Sequence, residues 1–324
     1  MNIIEIKDLT KTFSYHKKKE GLVNSLVSLF KREYLEKKAV NKVSFQIKEG
    51  EFVGFLGPNG AGKTTTLKML SGILHPTSGV ATVLDYKPWI RQNEYLKQIG
   101  IVMGQKSQLI WDIPAVDTLK LFKEIYEIPD SEYKKRLNEL ASILNIKDVL
   151  DVSVRKLSLG QRMKCELVAA LIHRPKVLFL DEPTIGLDVV SKKRIWDFLS
   201  ELNQKEKTTI ILTSHYMEDI KRLCKRVIII NNGGLIYDGM LKNLVDKHLK
   251  NRIINVDFSK EISEEKFKNF GEIIKFEDSH LTLSVKNKDY KKVTKTLLDK
   301  FPVEDISITA PDAEEVIREM FEKR

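Results

Sequence analysis

Eight residues, Gly57-Pro58-Asn59-Gly60-Ala61-Gly62-Lys63-Thr64, stand between an apolar run, Phe52 to Leu56, and a helix-like stretch, Thr65 to Leu70. Closely spaced glycines let backbone N–H groups converge on phosphate oxygens, and the helix that follows adds the positive end of its dipole. A lysine at the end of such a loop reaches β- and γ-phosphates, and the hydroxyl after it ligates Mg²⁺. The stretch predicts a strand-loop-helix unit that binds a nucleoside triphosphate. Downstream, Lys176 to Leu180 reads as a buried strand ending in two carboxylates, Asp181 and Glu182. The first is placed to hold Mg²⁺ directly or through water; the second points elsewhere and can polarise an attacking water. Leu157-Ser158-Leu159-Gly160-Gln161 precedes an apolar-rich helix, Arg162 to His173. A serine hydroxyl, a glycine N–H and a helix N-terminus there make a second anion site, distinct from the first loop.

The elements that carry these groups alternate as an α/β domain requires. Residues 3 to 13 and 39 to 56 read as strands, Ser71 to Gly79 is turn-rich, Val80 to Leu84 returns to strand, and Ala115 to Leu150 has helical periodicity. Between the first two strands lies an unusual insertion, Tyr15 to Lys38. Its Leu22, Val23, Leu26, Val27, Leu29, Phe30 and Tyr34 recur at helical spacing, and seven Lys and Arg against three Glu leave it at +4. A basic amphipathic helix is expected, laid either on its own domain or on a membrane or partner surface. From about Asn251 the pattern changes to short alternating runs, Ile254/Val256/Phe258, Leu281/Leu283/Val285 and Ile306/Ile308, with helices at 263–270 and 289–301 and a last helix at 312–323. That order predicts a small ferredoxin-like α+β unit over 251–324, with no catalytic constellation in it.

The composition sets bounds. The chain has 324 residues, 42% hydrophobic and 31% charged, with a net charge of +10 spread along its length. That length suits one large α/β domain and a small one. No run approaches the roughly 20 apolar residues that cross a bilayer, and the start reads as a strand rather than a signal peptide. Cys165 and Cys224 sit in apolar helical segments without metal-ligand spacing, so free, buried thiols are expected.

Taken in order, these motifs resemble those of the ATP-binding subunits of ABC transporters, over residues 1 to about 240. Residues 57 to 65 look like the Walker A loop, Val177 to Asp181 like Walker B, Leu157 to Gln161 like the signature motif, Gln105 like the Q-loop glutamine, Gly186-Leu187-Asp188 like the D-loop, and His215 like the switch histidine. Phe13 matches the aromatic that stacks on adenine. The resemblance implies ATP and Mg²⁺ as ligands, with Gly57, Pro58, Asn59, Gly60, Ala61, Gly62, Lys63, Thr64 and Thr65 around the phosphates. It further implies Mg²⁺ among Thr64, Gln105 and Asp181, Glu182 as general base, and His215 on the γ-phosphate. By the same resemblance a helical subdomain spans about 112–165, with Trp111 and Pro114 near the contact to a transmembrane partner; the alternative for Trp111 is a place in the core. Two such domains pair head to tail, so that Ser158, Gly160, Gln161 and Asp188 of one serve the nucleotide of the other. Leu159 departs from the family's usual glycine, and a side chain there is expected to alter closure.

Two classes of function follow. One is the energising ATPase of an exporter, resembling the ABC-2 type group that exports drugs or other amphiphiles. It would work as a homodimer or paired with a related ATPase, held at the cytoplasmic face of the membrane by a separate multi-span permease, with no nucleic acid as partner. The other is a soluble ABC ATPase acting on ribosomes or DNA; those usually carry two nucleotide domains or long coiled coils, and this chain has neither.

Overall fold

The computed structural model describes residues 1–16, 34–104, 106–214, 216–248, 251–260, 262–277, 279–309 and 313–322. Gln105, His215 and residues 17–33 of the insertion lie outside the described residues. Two compact units divide the chain, Met1–Gly239 and Met240–Arg324.

In the first unit, β1 (Asn2–His16), β2 (Tyr34–Lys48) and β4 (Ser78–Val83) form an antiparallel sheet in the order β2-β1-β4. A second sheet runs β5-β6-β7-β3-β8-β9, from β3 (Phe52–Leu56), β5 (Ile99–Met103), β6 (Val177–Asp181), β7 (Thr209–Thr213), β8 (Arg226–Asn231) and β9 (Gly234–Met240). The pairings among β3, β5, β6, β7 and β8 are parallel. Parallel strands are covered on both faces, which is why Val-Leu-Phe-Leu in β6 and Val-Ile-Ile-Ile in β8 are apolar without alternation and fully buried. Asn232 and Gly233 join β8 to β9 with φ of 48° and 78°, the left-handed pair that a two-residue hairpin needs.

Helix α1 (Lys63–Leu70) follows β3 and lies between the sheets. Its Leu67, Met69 and Leu70 share one core with Ile4, Ile6 and Val43 of the antiparallel sheet and Val53, Phe55 and Phe179 of the parallel one. Burying each such side chain contributes about 1.5–3 kcal/mol. The helix that receives the phosphate loop is therefore clamped from both sides. After the single-turn α2 (Asn93–Leu96) come α3 (Ala115–Ile125), α4 (Asp130–Ile143), α5 (Leu159–Leu171), α6 (Val189–Glu206) and α7 (Met217–Leu223). Buried Arg136 of α4 binds Glu206 at the end of α6 through two parallel hydrogen bonds of 2.5 and 2.9 Å.

The expected helix in the insertion is corrected at both of its ends. Tyr15, His16 and Tyr34 to Lys38 are strand, because β1 and β2 stay paired from Thr12 opposite Lys38 to His16 opposite Tyr34. Once the ladder is in register, each added pair makes further backbone hydrogen bonds, and aromatic side chains such as Phe13 and Tyr15 suit strands.

In the second unit, α8 (Leu241–His248) packs against α10 (Ala313–Glu322), and Leu244 on the first and Val316 and Ile317 on the second are buried. Between them β10 (Asn251–Phe258), β11 (Glu272–Glu277), β12 (His280–Lys286), α9 (Tyr290–Lys300) and β13 (Val303–Thr309) build an antiparallel sheet in the order β11-β12-β10-β13. This is the ferredoxin-like order. The helix expected at 263–270 is a single 3₁₀ turn, Glu264–Phe267. One turn suffices because it buries Phe267, stacked on Phe258 at 5.2 Å and beside Phe301 at 5.0 Å.

A candidate nucleotide site at the carboxyl ends of the central strands

Strand register sets the site. Met103 is level with Asp181, Asp181 with Thr213, and Thr213 with Phe55. The four strands thus end at one level, where open parallel sheets bind ligands. From the end of β3 the loop 57–62 turns into α1. Gly62 has φ +104°, and a Cβ there would stand 2.3 Å from the Ala39 carbonyl, so only glycine fits between loop and β2. Lys63 is buried, and its ammonium donates to the Gly57 and Pro58 carbonyls at 2.6 and 3.1 Å. Burial holds its pKa below the usual lysine value, partly offset by the nearby Glu182 and Asp181 carboxylates.

A cleft of about 630 Å³ opens over this loop, lined by Phe13, Lys37, Ala39, residues 59–65, Glu182 and Ile185. It lies within the usual range for a nucleotide-sized ligand. Phe13 is 40% exposed on the rim. An adjoining hollow of about 110 Å³ is bounded by Thr64, Lys68, Met103, Gly104, Lys106, Asp181 and Glu182.

Thr213 links Asp181 and Glu182. The Thr213 hydroxyl donates to Asp181 Oδ1 at 2.7 Å and accepts from the Glu182 N–H at 3.1 Å. The other Asp181 oxygen accepts from the Thr64 hydroxyl at 2.8 Å. A hydroxyl and a carboxylate beside a small polar hollow fit Mg²⁺, a hard ion that takes one or two protein oxygens and completes its shell with phosphate and water. Among the described residues no group of three or more His, Cys, Asp or Glu gathers to hold a metal unaided. Glu182 sits at φ +56°, a left-handed conformation that non-glycine residues seldom adopt. Strain of this kind collects at functional positions.

The second anion motif stands apart from the cleft. Ser158 caps α5: its hydroxyl accepts from Gln161 N–H at 3.2 Å, and its own N–H donates to Gln161 Oε1 at 2.9 Å. Asp188 caps α6, accepting from Ser191 N–H and hydroxyl at 2.9 and 2.7 Å, and these bonds hold its carboxyl below the usual range. The two caps touch, since a Cβ on Gly160 would lie 2.8 Å from Ser191 Oγ and one on Gly186 2.8 Å from Leu159 Cδ2. Leu159 is the first residue of α5. Its backbone is therefore ordinary helix, and the site does not demand the freedom of glycine there. None of Ser158, Gly160, Gln161 and Asp188 lines the cleft.

Other supports carry no signal in the sequence. Buried Glu166 of α5 accepts from the Ser107 hydroxyl and, at 3.0 Å, from Gln108 N–H, pinning the segment after β5. Fully buried Asp219 accepts from Thr184 at 2.5 Å, Trp196 Nε1 at 2.7 Å and the Ser214 hydroxyl, tying together the turns that follow β6 and β7. Trp111 is 49% exposed with the Arg162 guanidinium over its ring at 5.4 Å, so it is a surface residue and not core. Cys165 and Cys224 are free and buried, and burial pushes the Cys165 thiol up to about 12.

Residues 40–185 match the ABC transporter family, and residues 250–309 match the C-terminal domain of EvrA-like ABC transporters. The chain is 38% identical to the ABC transporter ATP-binding protein NatA of Bacillus subtilis over 64% of its own length and 85% of the relative's. It is 35% identical to the linearmycin resistance ATP-binding protein LnrL of the same species, over 71% and 73%. It is 34% identical to the Nod factor export ATP-binding protein I of Burkholderia thailandensis, over 69% and 73%. Among solved structures, a dimeric ATP-binding cassette in a post-hydrolysis state with ADP and phosphate superimposes with a TM-score of 0.61 at 25% identity, covering 73% of this chain and 98% of that one. With its loop, paired carboxylates and capped second motif in the expected order, the chain belongs to the ATP-binding proteins of ABC transporters.

Proposed function

We propose that this chain binds ATP with Mg²⁺ in the cleft over residues 57–65 and hydrolyses it to drive export through a separate multi-span permease. ATP hydrolysis in the service of transport is the activity of its family. The observation that carries the assignment of roles is the level register of β5, β6, β7 and β3, which gathers the phosphate loop, Asp181 and Glu182 at one sheet edge.

In this reading Lys63 and the loop N–H groups bind the β- and γ-phosphates, and Phe13 stacks on the base. Thr64 and Asp181 would hold Mg²⁺, with Gln105 as a further ligand, and the bound ion would supply charge neutralisation at the phosphates. Glu182 positions and deprotonates the attacking water while its backbone stays fixed by Thr213. His215, outside the described residues, would contact the γ-phosphate, as the resemblance implies. Ser158, Gly160, Gln161 and Asp188 close over the nucleotide of a second ATPase subunit, a reading supported by their position outside the chain's own cleft. Export is favoured because LnrL and the Nod factor protein are named for resistance and export. No helix among the described residues is long and apolar enough to cross a membrane. In this reading the permease holds the chain at the cytoplasmic face.

The test is to recover Glu182→Gln from detergent-solubilised native membranes in the presence of ATP and identify what accompanies it. A multi-span protein supports the proposal and supplies the place to look for cargo. Ribosomes or DNA-bound proteins in its place overturn export and leave the ATPase assignment standing.

A further inference from the structure

We propose that Lys37 is a second cation of the nucleotide site, directed at the α-phosphate end of the bound nucleotide. The inference rests on the nucleotide-binding reading of the cleft and extends it. Lys37 lies directly opposite Phe13 in the β1–β2 ladder. Cross-strand partners project from the same face of a sheet, and both side chains line the cleft with Lys63, Thr64 and Thr65. Two residues on, Ala39 shares that face, and its carbonyl abuts Gly62 of the phosphate loop. A strand advances about 3.3 Å per residue, so residue 37 sits roughly 7 Å from the point where β2 meets the loop. The flexible stem of lysine spans the gap between a base held on Phe13 and the first phosphate.

The charges in the cleft divide accordingly. Lys63 is buried at the loop, fastened to the Gly57 and Pro58 carbonyls, where it serves the outer phosphates. Lys37 is exposed and has no ion-pair partner among the described residues. A cation set at the inner phosphate strengthens AMP, ADP and ATP alike, whereas one set at the outer phosphates favours ATP. A cation against the base would instead alter the choice between adenine and guanine, because guanine offers a lysine the adjacent O6 and N7 acceptors.

The test is equilibrium binding of ATP, ADP, AMP and adenosine, and of GTP, to the full chain and to Lys37→Gln, Lys37→Arg and Lys63→Ala, at low and high KCl. Lys37→Gln is expected to weaken ATP, ADP and AMP each by about 2- to 5-fold, the scale of one exposed charge contact. It should leave adenosine and the ATP-to-GTP ratio unchanged, and its deficit should shrink at high salt. Lys37→Arg should retain most of the affinity. Unchanged ATP affinity in Lys37→Gln, with a loss in Lys63→Ala, overturns the role of Lys37 and leaves the nucleotide site standing. Equal losses for adenosine, or a changed ATP-to-GTP ratio, overturn the phosphate assignment in favour of the base. If Lys63→Ala also binds ATP normally, the nucleotide reading of the cleft itself falls.

Discussion

The left-handed backbone of Glu182 gives a prediction that separates stability from catalysis. An L-residue other than glycine or asparagine pays about 1–2 kcal/mol in this conformation. Glu182 carries that cost at φ +56° while its N–H is held by both the hydroxyl and the carbonyl of Thr213, each at 3.1 Å. Replacing it with asparagine keeps the backbone bonds and removes roughly half of the strain, about 0.5–1 kcal/mol. Glutamine keeps the shape of glutamate and none of that relief. For a domain of this size 1 kcal/mol moves the melting temperature by about 2–4 °C. Glu182→Asn should therefore melt about 1–4 °C above Glu182→Gln by circular dichroism without nucleotide. Both variants should lose at least about 100-fold in hydrolysis, since both lack the carboxylate. Glycine relaxes the whole strain of about 1–2 kcal/mol yet adds about 0.5–1 kcal/mol of backbone entropy to the unfolded chain, a net gain of about 0.5–1 kcal/mol, so Glu182→Gly should melt about as high as Glu182→Asn. If Glu182→Asn melts with Glu182→Gln or below it, no strain is stored at this position. If either variant hydrolyses ATP at the wild-type rate, Glu182 is not the base.

Lys63→Ala should weaken equilibrium ATP binding by roughly 10- to 100-fold, the worth of a charge-assisted phosphate contact, and unchanged titration curves would refute its place at the phosphates. Asp219→Ala strands the Thr184 and Ser214 hydroxyls and Trp196 N–H, and should lower the melting temperature by roughly 6–12 °C for a loss of about 3 kcal/mol; a shift under 2 °C would show that the network carries little. Burial lowers the His173 pKa to about 4, so the unfolded chain takes up its proton near pH 6.5 while the folded one does not. Stability should then fall as pH drops from about 6.5 towards 4, by about 2 kcal/mol at pH 5; urea titrations of His173→Asn should show a flatter pH profile, and an equally steep one would assign the loss to other groups. Leu159→Gly should change ATP turnover in the assembled dimer, and identical steady-state rates would remove this residue from any part in closure.

Local chemistry made much of the first unit readable. The phosphate loop, the run ending at Asp181 and Glu182, and the serine cap at 158 are defined by neighbours in the chain, and the structure places each where its neighbours direct it. The ferredoxin-like order was readable from alternation alone, save that a helix expected at 263–270 shrank to the turn that buries Phe267. The supports were not readable. Glu166 meets Ser107 across 59 residues and Asp219 meets Thr184 across 35, and no periodicity announces such partners. The insertion misled for a related reason: apolar residues at helical spacing masked how far the paired strands run on either side of it. Lys37 escaped notice because its relevance comes from the residue opposite it in the ladder, which only register reveals.

The contact of Leu159 with Gly186 bears on how this chain can change over generations. A bulky residue at 186 would have to share space with the leucine as well as adopt φ +69°. A lineage that keeps Leu159 has two separate reasons to keep Gly186, and one that carries glycine at position 159 is released from the first of them. Gly160 and Ser191 are bound by a similar condition. The short motifs around 158 and 186, which look like separate words in the sequence, are thus inherited as one phrase, and graft experiments between relatives should move them together.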